Sequence, residues 1–381
     1  RWAPHGVRGT IFPGRAFAKS GEKITFREII RRMIMHLKHF AVLVLFCTAT
    51  ALSALNWPVM PEPELRKAAA EHVAAFAKEF PGTPDARAAE ILLRSGFSGG
   101  LGWISATMEF ASGVLDRNPP QKGKEKIREH ALRIMDYPLH VNNKDPEASG
   151  ELKQAWQAAV DRLHTRVMER MFREIDTDRT ESGLIVWKFY NMGFVVKSKG
   201  HIVGFDLWPG AVSGRQYTQE QLDVLTRKLD VLFISHEHGD HVSRQLAEAL
   251  LKAGKTVVAP DPAKALPGLS SPNLVAMYGA NSERQLAGIR VRALPGTQGK
   301  TPCNIYIVTL DGMNVIHNGD NTDHAVYSAL AGMGKIDLAL SNCWSGFAPY
   351  FASARPELAV TAHENELSHR VQNRESFKEV F

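Results

Sequence analysis

One heptapeptide constrains this chain more than any other feature. The apolar run Val231-Leu-Phe-Ile234 reads as a buried strand, and it leads directly into Ser235-His236-Glu237-His238-Gly239-Asp240-His241. Five of the last six positions carry side chains that bind a metal or move a proton. Two His one residue apart project the same way from extended backbone, so both reach one ion. Gly239 lets the chain turn, which brings Asp240 and His241 towards a second ion a few ångströms away. Imidazole nitrogen and carboxylate oxygen both suit zinc at about 2.0–2.2 Å. Three His and one Asp within six residues, directly after a buried strand, specify a metal site and not a polar loop.

The surrounding sequence sets this motif in an α/β half. From residue 183 onward, strand formers and turn residues alternate: Leu184-Ile-Val-Trp-Lys-Phe-Tyr190, Phe194-Val-Val196 and Ile202-Val-Gly-Phe205-Asp206. Helices are expected over 218–229 and 243–253. Strands are expected at Thr256–Val258, Ile289–Leu294, Asn304–Leu310, Asn314–His317, Ile336–Leu340 and Leu358–Thr361. The preceding stretch, 60–180, reads as helical. Leu65, Ala69, Val73, Phe76 and Phe80 recur at helical spacing before Pro81-Gly82. A second long helix is expected over 151–175. The cluster Ser98-Gly-Gly-Leu-Gly102 follows no strand and reads as a loop. No motif in this region carries chemistry, so it reads as a helical accessory or cap domain. The expected division is 1–54 N-terminal extension and signal peptide, 55–182 helical cap, and 183–381 catalytic domain.

The pattern His236-x-His238-x-Asp240-His241 resembles the signature of the metallo-β-lactamase fold superfamily, a group composed largely of metal-dependent hydrolases. The resemblance covers roughly residues 183–381. It implies a four-layered αββα sandwich with the site at the edge of the two sheets. His317-Asn318-Gly319-Asp320 follows a strand, where the family places a metal-bridging carboxylate, and the resemblance carries that role to Asp320. An Asp there is similar to the lactonase and phosphodiesterase-like branches, whereas true β-lactamases generally have Cys. His363, just after the strand ending at Thr361, is identified in the same way as the last ligand. The family usually supplies a further His between the first motif and the bridging Asp. None occurs between Arg292 and Cys303. Gln298 is the nearest equivalent, and as a neutral oxygen donor it is a weak zinc ligand. Cys303 would be a better one but lies too close to the next strand.

The resemblance therefore implies two divalent ions, Zn²⁺ first, with Mn²⁺ or Fe²⁺ as alternatives for a His/Asp site. His236, His238 and the weak ligand Gln298 would hold one. Asp240, His241 and His363 would hold the other, and Asp320 would bridge. A metal-bound hydroxide would then attack an ester, lactone, amide or phosphodiester of a small molecule, with Asp240 also orienting the nucleophile. The alternative is a degenerate-site metal-binding protein, a sensor or scaffold with little hydrolytic activity. Secondary candidates are Asp206 as an orienting group for a ligand His, and Asp323 as a helix N-cap or a partner behind the ligands together with His324. Cys343 and Trp344 line the pocket or are buried structural residues. His369 serves the pocket or the surface.

The N-terminal segment bears on location. Residues 36–54 run from a basic start through Phe40-Ala-Val-Leu-Val-Leu-Phe46 to a small-residue end, the pattern of a secretory signal peptide. Its apolar run is shorter than the ~20 residues that span a membrane, so the expectation is an exported, periplasmic or secreted protein with no stable membrane span after cleavage. The net charge of +6 is concentrated there: residues 1–54 hold nine basic and two acidic residues, which leaves 37 basic against 38 acidic in the rest. A nearly neutral body offers no phosphate-tracking surface, so nucleic acid is not an expected partner. Cys303 and Cys343 would be the two cysteines of the exported chain, paired or as buried thiols.

Overall fold

The computed structural model describes residues 2–3, 6–8, 61–119, 123–139, 141, 149–178, 180–189, 191–209, 216–279, 282–342 and 346–363. The signal segment, Cys343, Trp344 and His369 lie outside them. Among the described residues no helix is long and apolar enough to cross a membrane.

Five helices form the first part: α1 (Glu62–Glu79), α2 (Pro84–Ser95), α3 (Gly102–Arg117), α4 (Glu125–Leu139) and α5 (Gly150–Thr177). Local sequence sets their ends. Thr83 accepts from the Ala86 N–H and Pro84 opens α2, while Ser149 accepts from the Leu152 N–H at the start of α5. Each such cap is worth ~1 kcal/mol. The helical stripe Leu65, Ala69, Val73 and Phe76 packs with Trp103, Met108, Ile134 and Trp156 into one buried core. The 28-residue α5 belongs to two cores. Its first half (Trp156, Ala159, Val160) completes the bundle, and its second half (Met168, Met171, Ile175) covers a β-sheet. One continuous helix therefore contributes to both the helical core and the cover of the sheet.

The second part contains two sheets. The first runs in sequence order: β1 (Trp2–Ala3), β2 (Gly6–Arg8), β3 (Ile185–Lys188), β4 (Phe194–Lys197), β5 (Ile202–Phe205), β6 (Val231–Phe233), β7 (Thr256–Ala259) and β8 (Leu274–Ala276). Strands β1 to β5 pair antiparallel and β5 to β8 pair parallel. The sequence reading sets β1 and β2 aside in an N-terminal extension; here they pair onto β3, whose backbone groups would otherwise form a free edge. The second sheet has the order β14-β13-β12-β11-β10-β9. Its strands are β9 (Ser282–Leu286), β10 (Ile289–Gln298), β11 (Thr301–Leu310), β12 (Met313–His317), β13 (Leu338–Asn342) and β14 (Leu358–Ala362).

Alternation of side chains along these strands creates the layers. Val231 and Phe233 point to the core between the sheets, while Leu232 and Ile234 point outwards, where α5, α6 (Gln219–Lys228) and α7 (Arg244–Lys252) cover them. On β11, Tyr306, Val308 and Leu310 face inwards. Ile305 and Ile307 face a short 3₁₀ segment (His324–Gly332) and α9 (Phe347–Ala354), the short α8 (Pro262–Ala265) lying on the other sheet. The result is a helix–sheet–sheet–helix sandwich, the architecture the resemblance implies. The hairpin β10–β11 is longer than the apolar pattern suggests. The expected strands stop at Leu294 and resume at Asn304, but the pairing runs on until Gln298 meets Thr301, and Gly299 at φ 59° closes the turn. That extension carries Gln298 to the end of the sandwich where β5, β6, β12 and β14 also end.

Candidate metal centre

In open α/β sheets, ligand-binding residues gather beyond the carboxyl ends of the parallel strands, and they do so here. Asp206 follows β5, Ser235–His241 follow β6, Asp320 follows β12 and His363 follows β14. Asp240, His241 and His363 bring one ligand atom each within 4.8 Å of one another, and Asp206, His236 and His241 form a second such group. Asp320 Oδ2 lies 3.3 Å from His241 Nε2 and 3.1 Å from His363 Nε2. The ring centroids of His236 and His238 are 4.6 Å apart, and those of His236 and His241 4.1 Å. His236, His241, Asp320 and His363 are buried, whereas Asp240 is partly open and His238 is exposed at the mouth. All six sequence-predicted ligands thus fall in one place.

One buried carboxylate orients two of the imidazoles. Asp206 Oδ2 is 2.8 Å from His241 Nδ1, so that nitrogen carries the proton and Nε2 faces the site. The same oxygen accepts from the Ser235 hydroxyl at 2.6 Å, and Asp206 Oδ1 accepts from the Ser235 N–H at 2.7 Å. A hydroxyl that donates to a carboxylate must accept from its next neighbour. That neighbour is His236 Nδ1 at 2.9 Å. His236 is thereby fixed as the Nδ1–H tautomer with the Nε2 lone pair turned inwards. Asp206 has the orienting role considered for it from sequence; Ser235 is an addition.

The electrostatics agree with the geometry. Burial and the neighbouring His241 lower His236 to about 3, which keeps it neutral. Burial disfavours an ionised Asp320, but His363 and His241 outweigh it and hold the carboxyl well below its usual range. Burial also disfavours an imidazolium at His241, yet Asp320 and Asp206 raise it well above its ordinary value. Without a metal, a proton on His241 therefore serves as the cation between two carboxylates.

Two carboxamides complete the surroundings. Gln298 Nε2 donates to Asp320 Oδ2 at 3.1 Å. Asn191, in the β3–β4 turn at φ 53°, donates to Asp240 Oδ2 at 2.9 Å and lies 3.2 Å from His241 Nε2. Its backbone carbonyl accepts from the His363 backbone N–H at 3.3 Å, so Asn191 touches every member of the Asp240, His241 and His363 group. In the sequence Asn191 falls in the turn punctuation between two strands, and no motif there points to a contact 50 residues away.

The donor set fits a divalent cation. His236 Nε2, Asp320 Oδ1 and Gln298 Oε1 are buried and have no hydrogen-bond partner among the described residues. Buried polar atoms are normally satisfied, and imidazole, carboxylate and amide oxygen are metal donors. Cys303 is not part of this set. It is a free, buried thiol on β11, and burial with Asp320 and Asp206 nearby pushes its ionisation well above the usual thiol range. Asp323 is the N-cap of the 3₁₀ segment, where it accepts from the Ala325 N–H at 3.1 Å. His317 donates to the Met192 carbonyl at 3.0 Å and stacks on Phe205, beneath the site.

No protein-family model and no curated protein matches the sequence. Among solved structures, Igni18, a metallo hydrolase from the hyperthermophilic archaeon Ignicoccus hospitalis, is similar over 51% of this chain and 89% of its own, with 21% identity and a TM-score of 0.41. The metallo-β-lactamase fold protein YhfI from Bacillus subtilis is similar over 51% of this chain and 86% of its own, with 16% identity and a TM-score of 0.38. CmlA, a diiron β-hydroxylase from Streptomyces venezuelae, is similar over 57% of each chain, with 14% identity and a TM-score of 0.37.

Proposed function

We propose that this chain is a metal-dependent hydrolase of the metallo-β-lactamase superfamily, acting on a small molecule that carries an ester, lactone, amide or phosphodiester. One observation carries the reading. Six candidate donors that follow three separate strands gather at one end of the sandwich, with His236 and His241 oriented by Asp206 directly or through Ser235. His236, His238 and Gln298 would hold one ion, Asp240, His241 and His363 the other, and Asp320 would bridge. Divalent ions held there, Zn²⁺ first, would supply an acidified water and Lewis-acid stabilisation of developing negative charge.

The chain's own groups do the rest. Asp240 is the partly open carboxylate at the mouth, held by Asn191, and it accepts a proton from the attacking water and orients it. Asp206 and Ser235 keep imidazole protons on the side away from substrate. Buried His241, Asp320 and His363 exclude bulk water from the inner half of the site, which strengthens every electrostatic contact there. Residues 36–54 support export, tested by sequencing the N-terminus of the secreted protein.

The test is turnover of chromogenic ester, lactone and phosphodiester substrates by the zinc-loaded full chain and by Asp240→Asn. The proposal expects metal-dependent turnover of one class and a loss of at least ~100-fold in Asp240→Asn even at saturating zinc. Zinc binding with no turnover of any class would contradict the proposal and leave a metal-binding protein with an incomplete first site, in which Gln298→His raises zinc stoichiometry.

A further inference from the structure

Three consecutive residues after β5 enter three different environments. Asp206 is fully buried under the site, where it orients His241 and Ser235. Leu207 belongs to the core between the first sheet and its covering helices. Trp208 packs against the core of the helical bundle. The turn is closed by the Trp208 N–H on the Asp206 carbonyl at 2.9 Å, and the Asp206 N–H donates to Phe233 on β6 at 2.9 Å.

The strap is also under strain. Asp206 has φ 43°, a left-handed backbone that a non-glycine residue adopts at a cost and keeps only when its surroundings impose it. Leu207 folds back so closely on β5 that a Cβ at Gly204 would lie 2.6 Å from its Cδ1. Asp206 is thus held by its own hydrogen bonds on one side and followed by two packed side chains on the other, Leu207 in the sheet core and Trp208 against the helical bundle. The bundle is a firm mount, because α5 runs without interruption from its core to the outer face of the same sheet.

We propose that Trp208 is a positioning residue through which the helical bundle holds Asp206, and with it His241 and His236, in the geometry that binds metal. The inference rests on the metal-centre reading above and gives the bundle a role in that centre. It predicts that loosening Trp208 weakens metal binding through Asp206, and only through Asp206.

The experiment is a zinc affinity measurement on the full chain by competition with a chromophoric chelator, with far-UV circular dichroism on each variant. Trp208→Ala is expected to bind zinc about 10-fold more weakly, the scale of losing a partner behind a ligand. Trp208→Phe, which keeps an aromatic anchor, should stay within about 2-fold of wild type. Trp208→Leu should fall between them, and it carries the prediction if the Ala variant folds poorly. Asp206→Asn should lose about 10- to 100-fold, and Asp206→Asn/Trp208→Ala should lose no more than Asp206→Asn alone. Folded Trp208→Ala and Trp208→Leu variants with wild-type affinity overturn the inference, as do losses that multiply in the double variant. A wild type that binds no zinc overturns the metal-centre reading as well, which separates the two failures.

Discussion

Asp206 Oδ2 lies 2.8 Å from His241 Nδ1 across 35 residues of sequence, and solvent reaches neither side chain. This pair ties the end of β5 to the motif after β6. Through the Ser235 hydroxyl, the same carboxylate also sets the tautomer of His236. One buried charge therefore governs one ligand of each candidate ion.

Those two branches are separable. Ser235→Ala breaks the link to His236 and leaves the Asp206–His241 contact. It should weaken one zinc by roughly 10-fold and leave the other unchanged, read from a stepwise zinc titration. Equal weakening of both ions would contradict the branch assignment.

Metal binding should release protons. His241 is held well above its ordinary value by Asp320 and Asp206 despite burial, so the metal-free protein carries a proton there at neutral pH. An ion on Nε2 must displace it, and zinc affinity should rise with pH until His241 is deprotonated without the metal. Calorimetry in two buffers of different ionisation enthalpy should show about one proton released by the ion at Asp240, His241 and His363. Zero release would contradict the prediction.

Gly319 has φ 51°, and a Cβ there would lie 2.6 Å from Ser235 Cβ and 2.9 Å from Cys303 Sγ. Gly319→Ala should destabilise the metal-free protein by about 1–3 kcal/mol. It should also weaken zinc binding, because it displaces both Ser235 and the adjacent Asp320. A wild-type melting temperature and affinity would count against the close packing described.

The bundle makes its own pH prediction. His72 lies 3.1 Å from His130 and 3.4 Å from Tyr137 Oη, and burial with His130 nearby lowers it to about 4. Its unfolded value is ~6.5. Between these values the unfolded chain binds a proton that the folded chain does not, so His72 costs stability as pH falls from ~6.5 towards 4. Urea midpoints of the metal-free protein should fall over that window, and less steeply in His72→Gln. Equal slopes would show that His72 is not held neutral.

Much of the site was legible because a metal ligand set writes its spacing into the chain. His236, His238, Asp240 and His241 fall in one six-residue span just after a buried strand, and Asp320 and His363 follow strands as the resemblance implies. The contacts that tune them were not legible. No motif singles out Asn191, Ser235 or Trp208, since each meets a partner that only the folded topology brings close. Gln298 was identified as a departure, but its donation to Asp320 depends on a hairpin extended beyond its apolar core. The layer order was what the resemblance implies, and period-2 alternation along the strands builds it. The division of α5 between two cores was not legible, because both halves of that helix show the same apolar stripe.

The most direct test is the metal content per chain, by elemental analysis, of the full protein purified without chelators and reconstituted with Zn²⁺, alongside Asp320→Ala and His238→Ala. The account predicts about two zinc ions per wild-type chain and fewer in both variants. A wild-type chain that binds no metal after reconstitution would contradict it.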